Sequence, residues 1–184
     1  MKEYKSILIV LVKFFCVYLV LIGLYYLYLN FYQNKLQTCD PYTEIVAKQS
    51  ATLLNFVSVN SMAIHINHNN FMFFAIDSKI SSIVNEGCNA LSVIILYIAF
   101  IIAFANTWRN TTIFLLSSVL IIYITNLIRI AFLNYIFHTF PSYSNLAHDY
   151  IFPVIIYGII IFFWMVWIKF FVLNKPAYVN DKNN

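Results

Sequence analysis

The chain has 184 residues, of which 62% are hydrophobic and 10% are charged, and it contains only three glycines. A soluble domain of this size has about 25% charged residues, so the composition excludes an ordinary soluble protein and indicates several membrane-spanning segments. The net charge of +4 is too small to indicate nucleic-acid binding, and we interpret the basic residues through membrane topology.

The first element is an apolar stretch at residues 7–29, preceded by Lys2 and Lys5. It is longer than the apolar region of a signal peptide, about 7–15 residues, and it ends in several tyrosines that are typical of a membrane interface. We therefore predict that residues 1–29 form a retained transmembrane anchor.

The next segment, residues 30–87, is too polar to cross a membrane. Thr38-Cys39-Asp40-Pro41 predicts a turn or helix start, and residues 43–59 predict an interfacial helix. Its apolar side would contain Val46, Leu53, Leu54 and Val57. Residues 62–66 and 71–76 flank a polar Asn67-His68-Asn69-Asn70 stretch, which predicts a β-hairpin. We expect a partly helical extracytoplasmic segment.

Three further apolar stretches follow, at residues 88–105, 112–137 and 150–171. Each approaches the ~20 residues that a helix needs to cross a bilayer, so we predict four transmembrane helices in an all-α polytopic fold. Most basic residues fall on the side of the N-terminus, which predicts that both termini face the cytoplasm. Residues 88–171 would then form a three-helix core and residues 172–184 a cytoplasmic tail, disordered at residues 180–184.

Arg129 lies within the apolar stretch 112–137. A charge near the centre of a transmembrane helix costs roughly 2.5–3.5 kcal/mol, and such residues usually face a functional cavity. Pairing with Glu86 or Asp149 is an alternative without function. Asn126, one helical turn earlier, is placed to orient the guanidinium from the same face.

The predicted topology brings Cys88, Arg129 and His148 together near the outer surface, although 60 positions separate the first from the last. This set suits acyl transfer. A thiolate attacks, a nearby cation favours the thiolate and stabilises an oxyanion, and an imidazole moves protons near neutral pH. The catalytic prediction is therefore Cys88, Arg129 and His148, supported by Asn126, Glu86 and Asp149.

Other interpretations of the same residues stay open. Cys88 could be a packing residue or could form a disulfide with Cys39, since both would face an oxidising exterior. His148 alone is typical of a surface histidine. The cysteines lack C-x-x-C spacing, and His65-x-x-His68 is a weak signal without a nearby acidic residue or cysteine, so we predict neither a metal site nor a cofactor.

Three short segments resemble the exosortase/archaeosortase family, most closely its short F-type exosortases. They are Glu86-Gly87-Cys88-Asn89-Ala90-Leu91, Asn126-Leu127-Ile128-Arg129-Ile130 and His148-Asp149. The resemblance covers roughly residues 85–169. It implies a multipass enzyme with Cys88 as acyl-thioester nucleophile, Arg129 as a catalytic arginine usually assigned as proton donor, and His148 as transition-state stabiliser. Most members have glycine two residues after the cysteine, where this chain has Ala90.

The resemblance also implies a substrate, namely exported proteins that end in a short motif, a transmembrane helix and a basic tail. We predict a cysteine transpeptidase or endopeptidase of the bacterial cytoplasmic membrane with its site facing outward. Its expected partners are membrane lipids, such substrates and an accessory membrane protein. The alternatives are a non-enzymatic scaffold or assembly factor of the cell envelope, and a carrier or lipid-modifying protein in which Arg129 binds an anionic headgroup.

Overall fold

The computed structural model describes residues 2–105 and 107–173. The helices are α1 (Lys2–Asn30), α2 (Pro41–Phe56), α3 (Leu91–Ala103), α4 (Trp108–Thr139), α5 (Ser144–Leu146) and α6 (Phe152–Trp167). The strands β1 (Ser61–Ile64), β2 (Met72–Ile76) and β3 (Lys79–Val84) lie between α2 and α3. Shorter helical turns occupy Phe31–Leu36, Pro141–Tyr143, Ala147–Ile151 and Ile168–Leu173.

In the part of the chain that the structure describes, three continuous helical segments are long and apolar enough to cross a membrane: Ile7–Leu36, Trp108–Thr139 and Pro141–Val172. The α1 segment lies at the side of the molecule, and its most apolar stretch contributes no buried residues. A helix this apolar and this exposed is stable only against lipid. The prediction of a mainly helical, multipass membrane protein is therefore confirmed.

The predicted second span, residues 88–105, is helical only over Leu91–Ala103. Its 13 residues extend about 20 Å at 1.5 Å per residue, which is shorter than the ~30 Å bilayer core. The helix begins late because Ala90 adopts a left-handed conformation, with φ of 60°. A full fourth span stays a prediction.

The helices α3, α4 and α6 form a bundle. Its buried residues include Ile122, Ile156 and Trp167. Tyr97 in α3 donates a 2.6 Å hydrogen bond to the Ser118 hydroxyl of α4, which satisfies a phenol in the apolar interior. The α4 residues up to about 122 belong to this bundle.

The next turns of α4 pack instead against α2 and the sheet. Val46 of α2, Phe74 of β2 and Ile130 of α4 are buried together in a second cluster. Arg129 therefore lies where the helical bundle meets this outer layer.

The helix predicted over residues 43–59 is confirmed as α2, and its position at the membrane interface stays a prediction. Asp40 caps it, since its Oδ1 accepts a 3.0 Å hydrogen bond from the Thr43 amide, and Pro41 starts the helix. Val46 and Leu54 are buried as expected. The placement of Val57 was wrong: it follows the last helical residue and is 68% exposed.

The predicted hairpin is confirmed as the antiparallel β1–β2 pair, in which Met62 lies opposite Ala75. A third antiparallel strand, β3, was not predicted, and the sheet order is β1-β2-β3. Asp77 and Ser78 connect β2 to β3 with φ of 48° and 63°, the two positive values that a tight I′ hairpin turn requires. With this turn in place, β3 runs to Val84 and ends four residues before Cys88.

The predicted tail lies mostly outside the described residues, since residues 174–184 are not among them, and the disorder predicted for residues 180–184 falls there.

Candidate functional site

Cys88 lies in a tight turn between β3 and α3. The Asn85 side chain organises the turn, because its Oδ1 accepts hydrogen bonds from the Gly87 amide at 3.1 Å and from the Cys88 thiol at 3.5 Å. The Cys88 amide also donates to the Asn85 carbonyl at 2.9 Å. The Cys88 thiol is half-buried and hydrogen-bonded to this turn.

The second half of the turn is anchored by Asn89, which is fully buried. Its Nδ2 donates to the Thr43 hydroxyl of α2 at 2.8 Å, and its Oδ1 accepts from the Leu91 amide, also at 2.8 Å. The amide of Asn89 thus joins the start of α3 to α2. This fixes the position of Cys88 relative to the outer layer.

Ala90 follows with φ of 60° and is 3% exposed. Glycine adopts this left-handed conformation at least cost, which gives a physical reason for the glycine that most members of the resembling family have here. Alanine adopts it at a cost of about 1–2 kcal/mol. The departure at Ala90 therefore leaves the turn intact and makes it more strained.

Asn126 connects this turn to Arg129. It is fully buried, its Nδ2 donates to the Cys88 carbonyl at 3.0 Å, and its Oδ1 accepts from Arg129 Nη1 at 3.4 Å. One amide therefore holds the cysteine backbone and the guanidinium in a fixed relation. The expectation that Asn126 orients Arg129 agrees with this contact, and the contact to Cys88 was not anticipated.

Arg129 is half-buried, and it borders one cavity with Cys88 and another with Tyr157. Within the described residues it forms no ion pair with a carboxylate, and its buried Nε has no hydrogen-bond partner. The guanidinium thus keeps donors available. In a site of low dielectric constant such donors stabilise a developing anion strongly.

His148 lies in the helical turn Ala147–Ile151 that precedes α6. Its Nδ1 lies 2.7 Å from Asp149 Oδ1, and both side chains are about half exposed. With Nδ1 bonded to the carboxylate, Nε2 is the ring nitrogen left for contacts with other groups.

One cavity of about 460 Å³ brings these groups together. It is bordered by Cys88, Arg129, His148 and Asp149, together with Asn85, Gly87 and Pro153. Of the six predicted site residues, four border the cavity directly and Asn126 holds two of them from behind.

Glu86 is the exception among the predicted supporting residues. It does not border the cavity, and its charge acts on Tyr25 and Cys39 instead. The turn explains this, because Asn85 and Gly87 face the cavity while the residue between them points away.

The other cysteines and the histidine pair lie elsewhere. Cys39 and Cys88 are both free, and Cys39 is buried, which raises the pKa of its thiol to about 12. His65 Nε2 lies 2.9 Å from the Asn69 carbonyl and therefore serves the hairpin loop. Across the described ranges no group of three potential ligands could hold a metal ion.

Sequence reasoning missed Asn85 and the role of Asn89. Asn85 precedes Gly87 by two positions, and an asparagine at this distance from a glycine indicates an Asx turn, in which its side chain binds the backbone two residues on. The bond from the Leu91 amide to Asn89 is local in the same way, but the bond from Asn89 to Thr43 had no local signal, since Thr43 is 46 positions away.

The chain matches a protein-family model, described as transmembrane exosortase, over residues 6–172. No curated protein and no solved structure shows a significant match. The matched region contains every described span and the whole cavity around Cys88. The chain therefore belongs to the transmembrane exosortase family.

Proposed function

We propose that the protein is a membrane-embedded cysteine transpeptidase or endopeptidase that removes the C-terminal sorting signal of membrane-tethered exported proteins. The observation that carries this proposal is the cavity bordered by Cys88, Arg129 and His148. A nucleophile, a fixed cation and a proton carrier around one space are the parts that acyl transfer needs.

In the first step His148 takes the thiol proton, and the Cys88 sulfur attacks the scissile carbonyl carbon. The carbonyl oxygen becomes an oxyanion beside Arg129, which stays charged because a guanidinium does not give up its proton in proteins. When the C–N bond breaks, the proton moves from His148 to the departing amine. The products are a thioester on Cys88 and the free C-terminal helix with its basic tail.

In the second step an amine or a water molecule attacks the thioester carbonyl. His148 accepts the proton of the attacking group and returns it to the sulfur as the C–S bond breaks. We assign proton transfer to His148 and electrostatic stabilisation to Arg129, the reverse of the roles that the family resemblance implies. The high pKa of a guanidinium is the reason for this choice.

We further propose that the protein resides in the bacterial cytoplasmic membrane with both termini inside and the site facing outward. The distribution of basic residues supports this orientation. Expected partners are lipids, exported substrates with a tripartite C-terminal signal, and an accessory membrane protein.

The test uses cells that express an exported candidate substrate with an N-terminal tag and a C-terminal signal. Cys88→Ala should abolish the mobility shift that marks processing, while Cys16→Ala, an exposed cysteine of α1, should leave it unchanged. Unchanged processing in Cys88→Ala cells would refute the catalytic assignment.

A second candidate function is a scaffold of the cell envelope. It is favoured by the buried Nε of Arg129, which has no partner in the described structure and suits a carboxylate from a neighbouring helix. A scaffold predicts that Cys88→Ala has no effect, whereas Arg129→Gln lowers the abundance of the protein in the membrane.

A further inference from the structure

A second cavity, of about 360 Å³, opens on the other side of Cys88. It lies between β3, the outer half of α4 and the segment that contains Asn145 and His148. Cys88 and His148 border both this cavity and the cavity of Arg129. The thiol therefore lies where two cavities meet.

The second cavity meets β3 along its edge. Four consecutive residues, 81–84, border it. Ser81 is the extra residue of a β-bulge, because Ser82 lies opposite Phe74 and Ile80 lies opposite Ala75. From Ser82 to Val84 successive side chains point to opposite faces, so a space bordered by all three has to follow the backbone. In the described part of the chain, β3 is the last strand of the sheet and pairs only with β2. Its outer backbone N–H and C=O groups are thus unpaired beside the cavity.

Polar side chains hold this strand against α4. Ser81 and Ser82 both donate to Asn134 Oδ1, at 2.9 and 2.6 Å, and Asn134 Nδ2 donates to the Ile130 carbonyl at 2.9 Å. These side chains satisfy one another. On this strand, the groups left to bind a ligand are therefore those of the backbone.

The two cavities also differ in their position along the helices. The second cavity follows α4 toward Phe137, at the end that carries the sheet. The cavity of Arg129 adjoins a smaller one bordered by Val93 and Ile156, which lie further into the bundle along α3 and α6. A chain that passes the thiol from one cavity to the other runs from the outer layer into the bundle.

We propose that the free edge of β3 binds the exported part of the substrate, just before the scissile bond, as an additional β-strand. The inference rests on the proposed function and adds the mode of substrate binding. A substrate of this class has its exported part outside the bilayer and its C-terminal helix within it. That polarity matches the two cavities, with the acyl side along β3 and the leaving side near Arg129. Strand addition gives affinity through main-chain hydrogen bonds.

The test uses the purified full-length protein in nanodiscs and a set of pentapeptidyl vinyl sulfones of varied sequence. The fastest probe, identified by its rate of covalent attachment to Cys88, is then remade with a single N-methyl group at each amide in turn. Because every second amide of an added strand donates to the edge, methylation should slow attachment about three- to tenfold at alternating positions. The intervening positions should change little.

Cys88→Ala protein serves as the labelling control and should acquire no adduct. A flat or monotonic response to N-methylation would overturn the inference. So would attachment no faster than that of a vinyl sulfone lacking the peptide. The proposed function is judged separately by processing of the tagged substrate in cells, which depends on Cys88 whether or not β3 binds the peptide.

Discussion

The left-handed conformation of Ala90, two residues after Cys88, leads to a quantitative prediction. Replacing Ala90 by glycine removes the conformational cost of about 1–2 kcal/mol that an alanine carries at φ of 60°. Against this, losing the packing of one buried methyl costs about 0.8 kcal/mol of stability. The higher conformational entropy of the unfolded chain costs about 0.4–1 kcal/mol more. These contributions nearly cancel, so Ala90→Gly should change the free energy of unfolding by less than about 1 kcal/mol.

The matched control is Ala99→Gly, at a buried alanine in the interior of the following helix, α3. There glycine loses the methyl and about 1 kcal/mol of helix propensity with no strain to relieve, which gives about 2 kcal/mol of destabilisation. SDS titration of the purified protein in mixed micelles, followed by circular dichroism, measures both values. Equal losses for the two variants would refute the conformation assigned to Ala90.

Three further predictions concern Asn126, Cys39 and Asp149. Asn126→Leu leaves the Cys88 carbonyl and a guanidinium donor unpaired, so it should lower the free energy of unfolding by about 2–4 kcal/mol in the same titration. Because burial raises the pKa of Cys39 from 9.0 to about 12, about one thousandth of this thiol should be thiolate at pH 9. Iodoacetamide should therefore modify Cys88 before Cys39, as measured by peptide mass spectrometry. Asp149→Asn disrupts an exposed pair worth at most about 1 kcal/mol, so the processing rate of a tagged substrate should fall no more than about fivefold.

Each of these has an outcome that would contradict it. Ser118→Ala removes a buried hydrogen bond within the bundle and serves as the control for Asn126→Leu. A loss of stability in Asn126→Leu no larger than that in Ser118→Ala would contradict the two contacts assigned to Asn126. Rapid alkylation of Cys39 at pH 9 would contradict its burial. A loss of processing above a hundredfold in Asp149→Asn would mean that the carboxylate contributes far more than an exposed pair can.

The sequence predicted the elements whose signal is local and strong. The apolar helices follow from hydrophobicity alone, and α2 follows from its Asp40-Pro41 start and its apolar face. A single charge in an apolar stretch, Arg129, predicted the neighbourhood of the candidate site. The topology rules then predicted that Cys88 and His148 lie near that charge, and the three residues border one cavity.

The parts that were not predicted depend on contacts between distant residues or on backbone angles. Strand β3 was missed because Ser81 and Ser82 interrupt its apolar pattern, and they are accommodated by Asn134, more than 50 positions away. The late start of α3 depends on the positive φ of Ala90, which an alanine gives no reason to expect. The hydrogen bond from Asn126 to the Cys88 carbonyl spans 38 positions and forms only once α4 packs beside the turn.

The central claim is that the sulfur of Cys88 becomes acylated by a peptide. Intact mass spectrometry of the purified protein, mixed with a synthetic peptide that contains a candidate C-terminal signal, measures this directly. Acylation predicts an added mass on Cys88 equal to the acyl portion of the peptide. Neutral hydroxylamine should remove this mass, and Cys88→Ala protein should not acquire it. A peptide that is cleaved at the same rate by Cys88→Ala protein, or an adduct located on another residue, would contradict it.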